Sequence, residues 1–110
     1  MEQRIEMKPM SVNDAWQGRR FKTPQYKEYE RAMLFLLKRG TLPPPPYEVW
    51  YEWGFSNIQC DVGNPEKQMS DILQKKYGFN DNQIWRMHLE KRKVPKGKEY
   101  VRFRIEHLDI

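Results

Sequence analysis

The sequence has a single cysteine, Cys60, and only two histidines, His88 and His107. One thiol cannot close an intramolecular disulfide, which sets the expectation of a reduced, intracellular protein. The two histidines lack metal-ligand spacing with each other and read as surface or sheet residues. No serine, cysteine or histidine constellation suggests a covalent nucleophile. Long apolar runs are also missing. The longest, Ala32 to Leu37, is far too short to span a bilayer, and the Met1-Glu2-Gln3-Arg4 start has no signal-peptide apolar stretch. These absences point to a soluble, cytoplasmic chain with no membrane partner. No internal repeat or low-complexity tract occurs. The one linker-like segment, Leu42-Pro43-Pro44-Pro45-Pro46, reads as a short stiff connector and not a domain boundary.

What is present suffices for one core. A chain of 110 residues forms one domain, residues 1–110, with little room for a second. Hydrophobic residues make up 38%, and four Trp, six Tyr and five Phe exclude a disordered tail. The formal net charge of +5 favours an acidic partner, nucleic acid being the commonest; a merely soluble basic protein is the plain alternative.

Periodicity outlines the elements. Gln3 to Lys8 alternate as a first strand. A polar, basic loop follows, from Asn13 to Lys22. Thr23 offers an N-cap oxygen and Pro24 suits the first helical position; Tyr26, Tyr29, Met33, Leu36 and Leu37 form one apolar stripe, and Gly40 supplies the stop. In Tyr47 to Phe55, Tyr47, Val49, Tyr51, Trp53 and Phe55 share one face of a strand, and Glu48, Trp50 and Glu52 the other. A second helix takes Asn64 as N-cap and Pro65 as its first residue, has a core stripe of Met69, Ile72, Leu73 and Tyr77, and ends at Gly78. Gln83 to Lys91 alternates again, as do Val101 to Glu106, and Val94-Pro95-Lys96-Gly97 between them predicts a hairpin on a type I turn. The expected fold is a small α/β domain: one mixed sheet of about four strands packed with two helices.

The chemistry-bearing residues cluster around the second helix. Each helical residue turns by about 100°, which places Lys67, Asp71, Gln74 and Lys75 opposite the core stripe. Asp61 precedes this helix and Asp81 follows it. Carboxylates for a hard cation and a fixed positive charge are what a metal-dependent phosphodiesterase needs. The same residues also suit caps, turns and a solvated i, i+4 ion pair. Arg19, Arg20 and Lys22, bracketed by Trp16 and Phe21, read either as a DNA-contacting loop or as a loop packing its aromatics on the sheet. Lys91, Arg92 and Lys93, with Lys96 and Lys98, make a second basic patch suited to phosphate or simply solvated.

The run Asp61-Val62-Gly63-Asn64-Pro65-Glu66-Lys67, continuing through Asp71 to Gly78-Phe79-Asn80-Asp81, resembles the signature of the RusA family of Holliday junction resolvases. That signature reads Asp-x-Asp-Asn, then a lysine, then Gly-Phe and a further Asp. The resemblance extends from Asn13-Asp14-Ala15-Trp16 to the final strand and is densest from Glu52 through Ile84. It implies a homodimeric, Mg2+-dependent endodeoxyribonuclease that resolves four-way DNA junctions in recombination and repair, in a bacterial or phage-infected cell. It also implies that Asp61 and Asp81 bind the metal and that Lys67 is the essential lysine. Asp71 faces the right way to assist as a further metal ligand. Gly63 stands where the family has its second Asp. In an extended segment, carboxylates at positions 61 and 63 would share a side, and glycine removes one of them. The alternative expectation is therefore a catalytically impaired junction-binding protein of the same fold.

Overall fold

The computed structural model describes residues 1–18 and 21–110. Among the described residues the elements follow in the order β1 (Glu2–Ile5), α1 (Val12–Ala15), β2 (Trp16–Gln17), β3 (Phe21–Lys22), α2 (Pro24–Leu36), β4 (Tyr47–Phe55), α3 (Glu66–Tyr77), a 3-10 turn (Asp81–Gln83), β5 (Ile84–Lys93) and β6 (Tyr100–His107). Four strands form a mixed sheet in the order β1-β6-β4-β5, and β2 and β3 form a separate small ribbon. No helix among the described residues is long and apolar enough to cross a membrane.

The mixed α/β class follows from the patterning. All five alternating residues of β4, from Tyr47 to Phe55, are buried on the helix side of the sheet. Met69, Ile72 and Leu73 of α3 and Tyr26 and Met33 of α2 close over them. Helix α2 starts as its sequence directs: Thr23 Oγ1 accepts from the Tyr26 N–H, and Pro24 takes the first helical position. Gly78 ends α3 at φ 72°, a left-handed conformation that costs glycine little. The Tyr26 hydroxyl donates to the Gln68 carbonyl at 3.2 Å and ties the two helices together.

Several expectations need correcting. Strands β5 and β6 do not form a hairpin; β4 lies between them, parallel to β5 and antiparallel to β6. The most apolar strand takes the centre, where both its edges are hydrogen-bonded, and the highly charged β5 takes an edge that charge protects from further pairing. The connecting turn closes one residue late, from the Lys98 N–H to the Pro95 carbonyl, with Gly97 at φ 90° in its third position. Helix α2 ends at Leu36 with Leu37 already extended, three residues before Gly40, and Leu36 is exposed. The first strand stops at Ile5. The expected basic loop contains α1 and the β2–β3 ribbon, with Ser11 capping α1 through the Asp14 N–H. Asn64 does not cap α3. Pro65 holds the cap position, and Asn64 Oδ1 accepts from the Val12 N–H at 2.8 Å instead, joining α1 to the start of α3.

Candidate functional site

A groove of about 510 Å³ opens between α3 and the start of β5. Glu66, Lys67, Ser70 and Asp71 line it from the helix, and Asp81, Asn82, Trp85 and Arg86 from the 3-10 turn and the strand. Three of the residues singled out from the sequence, Lys67, Asp71 and Asp81, thus meet in one place. The i, i+4 spacing puts the first two on one helix face. The tight entry to β5 supplies the third: Asn80 caps the turn, and the Asp81 N–H is held by Gln74 Oε1 at 3.0 Å. Beneath the groove, the Ser70 and Tyr51 hydroxyls share a hydrogen bond of 2.7 Å. The Lys67 ammonium stands 4.9 Å from the centre of the Trp16 ring, a cation–π contact at the groove's lip.

Asp61 is not part of this lining. It sits on a turn, where its carbonyl accepts from the Asn64 N–H at 3.0 Å, so the extended geometry expected for positions 61 and 63 does not occur. Two side chains given other tasks by the sequence fix this turn: Trp53, expected only as a core residue, and Lys91, expected in a phosphate-binding patch. Trp53 Nε1 donates to the Val62 carbonyl at 2.8 Å, and the Lys91 ammonium donates to the Ile58 and Cys60 carbonyls at 2.9 and 2.8 Å. A Cβ at Gly63 would meet nothing within 4 Å, and its backbone is not left-handed.

The expected cationic residues divide by environment. Lys22 and Lys75 both grip Glu30, at 2.9 and 3.0 Å. Burial opposes ionisation of Glu30, but these two hydrogen bonds outweigh it and hold its carboxyl below the ordinary glutamate value. Arg92 is paired with Glu52 and Glu90 on the open face of the sheet, and Lys93 is exposed at the end of β5. Arg19 and Arg20 lie outside the described residues; beside them Phe21 is 72% exposed, so it is not packed on the sheet. On the open face, Trp50 stacks on His88 at 5.0 Å and carries the Arg104 guanidinium 3.8 Å above its ring. Both histidines are exposed strand residues, His88 bonded to Glu48 and His107 to the Pro44 carbonyl.

The Asp71 carboxyl titrates above the ordinary aspartate value, first because burial strips it of water; Lys67 counteracts this, and nearby Asp81 adds to it. The native state therefore holds this proton more tightly than the unfolded chain does. Its contribution favours folding at acid pH and is lost as pH rises through the raised value. We expect Asp71→Asn to melt a few degrees above the unsubstituted protein at neutral pH. That advantage should vanish below the ordinary aspartate pKa of about 3.9. Thermal melts at both pH values check this, and identical curves at neutral pH would contradict it.

Among the described residues, no three His, Cys, Asp or Glu side chains are arranged to hold a metal ion. Asp71 and Asp81, which repel each other and line the groove together with Glu66, nevertheless suit Mg2+, which keeps several waters and is commonly held by one or two carboxylates plus substrate phosphate. No model of a known protein family matches this sequence, and no curated protein matches it as a relative.

Proposed function

We propose that the α3–β5 groove binds and hydrolyses a DNA phosphodiester, and that the protein is a structure-selective, Mg2+-dependent endodeoxyribonuclease acting on four-way junctions. The observation that carries this reading is the meeting of Lys67, Asp71 and Asp81 in one groove. The net charge of +5 and the resemblance of the Asp61-to-Asp81 stretch to the RusA signature support it.

Each residue has a task that its chemistry suits. The Lys67 ammonium, on a rigid helix and partly steered by Trp16, holds a non-bridging phosphate oxygen and stabilises the negative charge that grows there. Arg86, which also borders the groove, pairs with Glu48 at 3.7 Å, so Lys67 carries the positive charge toward the phosphate. Asp71, on the same helix face as Lys67, orients the attacking water by accepting a hydrogen bond from it at its carboxylate. Asp71 and Asp81 would hold Mg2+, joined by Asp61 if the resemblance extends to that residue, and the ion would supply an acidified water and charge neutralisation. A homodimer would set two such grooves against opposed strands of a junction, whose own symmetry is two-fold.

A second reading has its own support in Gly63 and in the position of Asp61 away from the groove: a junction-binding protein with impaired cleavage. Both readings share a first test. Fluorescence anisotropy with a four-way junction and a linear duplex, over a range of salt, should give at least about tenfold tighter junction binding and a steep fall in affinity with salt. Equal affinity for the two would remove junction selectivity from the account.

A further inference from the structure

We propose that Trp85 is the platform on which an unpaired nucleobase stacks beside the phosphate held by Lys67, so that the groove selects a locally single-stranded segment over paired duplex. The inference rests on the phosphodiester reading of the groove. Its own foundation is the setting of one indole.

Strand β5 pairs with β4 in regular register except at its start, where the consecutive residues Tyr47 and Glu48 oppose Ile84 and Arg86. Trp85 is the extra residue of a β-bulge. Bulges re-aim a side chain and bend the strand, and they concentrate at sheet edges and beside sites. Here the bulge lies on an edge strand and aims an indole into the groove that holds Lys67, Asp71 and Asp81.

The other three tryptophans are engaged. Trp53 is fully buried and bonded to the Val62 carbonyl, Trp50 lies between His88 and Arg104, and Trp16 meets Tyr26 edge-on beneath Lys67. Trp85 is 62% exposed, and among the described residues no aromatic ring stacks on it and no cation caps it. Leaving so large an apolar ring in water forgoes its burial, which suits a surface that a ligand covers. The surrounding groove is mostly polar and charged, so an apolar peptide or a lipid chain would strand those groups without water. A nucleotide matches both halves: its phosphate meets Lys67 and its flat base meets the indole. Asn82, on the turn just before Trp85, brings an amide that can donate to and accept from a base edge. A paired base inside a duplex offers its edges but not its face, so this contact requires unpairing.

The test uses the full chain in EDTA, to prevent cleavage, with a labelled oligothymidylate of about ten nucleotides and a blunt duplex of the same length. Trp85→Ala should weaken oligothymidylate binding about tenfold or more, Trp85→Phe should keep most of it, and duplex affinity should change less than about twofold. Oligothymidylate should also quench the fluorescence of the unsubstituted protein, and this quench should shrink in Trp85→Phe. Unchanged oligothymidylate affinity in a folded Trp85→Ala overturns the platform and leaves the phosphodiester reading standing. Equal losses on both DNAs overturn the preference for an unpaired base. No binding of either DNA by the unsubstituted protein overturns the platform together with the reading beneath it. A change of solution mass in Trp85→Ala, with DNA binding intact, assigns the indole to a protein contact instead.

Discussion

Lys67→Ala is expected to lose cleavage of a four-way junction by about a hundredfold or more while binding the junction within roughly tenfold of the unsubstituted protein. The asymmetry follows from the role of the side chain. As one cation among many, Lys67 contributes little to an affinity spread over numerous phosphates. As the ammonium that lines the groove with Asp71 and Asp81, it meets charge that develops only as the phosphodiester breaks, so its loss falls on the rate. Lys67 is exposed, and its contact with Trp16 is a single cation–π pair, so folding should be unaffected and circular dichroism should confirm this. Lys67→Arg, which keeps the charge with a different shape, should recover part of the rate. Full cleavage by Lys67→Ala would take the lysine out of the chemistry.

Gly63→Asp is expected to raise cleavage at limiting Mg2+ by about tenfold or more. The new side chain meets nothing within 4 Å, and the backbone there suits any residue, so the melting temperature should stay nearly unchanged. The turn closed between Asp61 and Asn64 keeps positions 61 and 63 close, although not as an extended pair. Position 63 also lies one turn of chain ahead of Lys67, at the positive end of α3, where an added carboxylate is electrostatically welcome. Cleavage measured across a Mg2+ titration separates the two functional readings. A gain means that Gly63 limits an otherwise working site. Equal rates at every concentration mean that the turn takes no part in holding the cation.

Much of the fold was legible because it depends on short-range periodicity. The alternation of Tyr47 to Phe55 and the helical stripe of Met69, Ile72 and Leu73 describe the two faces that now bury each other. Pairing order was not legible. Two alternating runs joined by a Pro-Gly turn look like a hairpin, and only competition for the interior shows that β4 must separate β5 from β6. The site divided in the same way. Lys67 and Asp71 share a face by helical spacing alone, whereas Asp81 joins them through the 3-10 turn whose backbone Gln74 holds. The claim of Glu30 on both Lys22 and Lys75 joins residues far apart in sequence and leaves no local pattern. Strict alternation from Gln83 would group Trp85 with Met87 and Leu89, but the register shift at the start of β5 leaves its indole 62% exposed.

The central claim, that the α3–β5 groove is where a phosphodiester is cut, meets its most direct test in one assay. Cleavage of a mobile four-way junction is followed across a Mg2+ titration for the unsubstituted protein, for Gly63→Asp, and for Asp71→Asn with Asp81→Asn in each background. The account predicts Mg2+-dependent cleavage that disappears with the Asp71 and Asp81 carboxylates while junction binding persists. Cleavage that survives loss of both carboxylates, or none at any Mg2+ concentration even in Gly63→Asp, would contradict it.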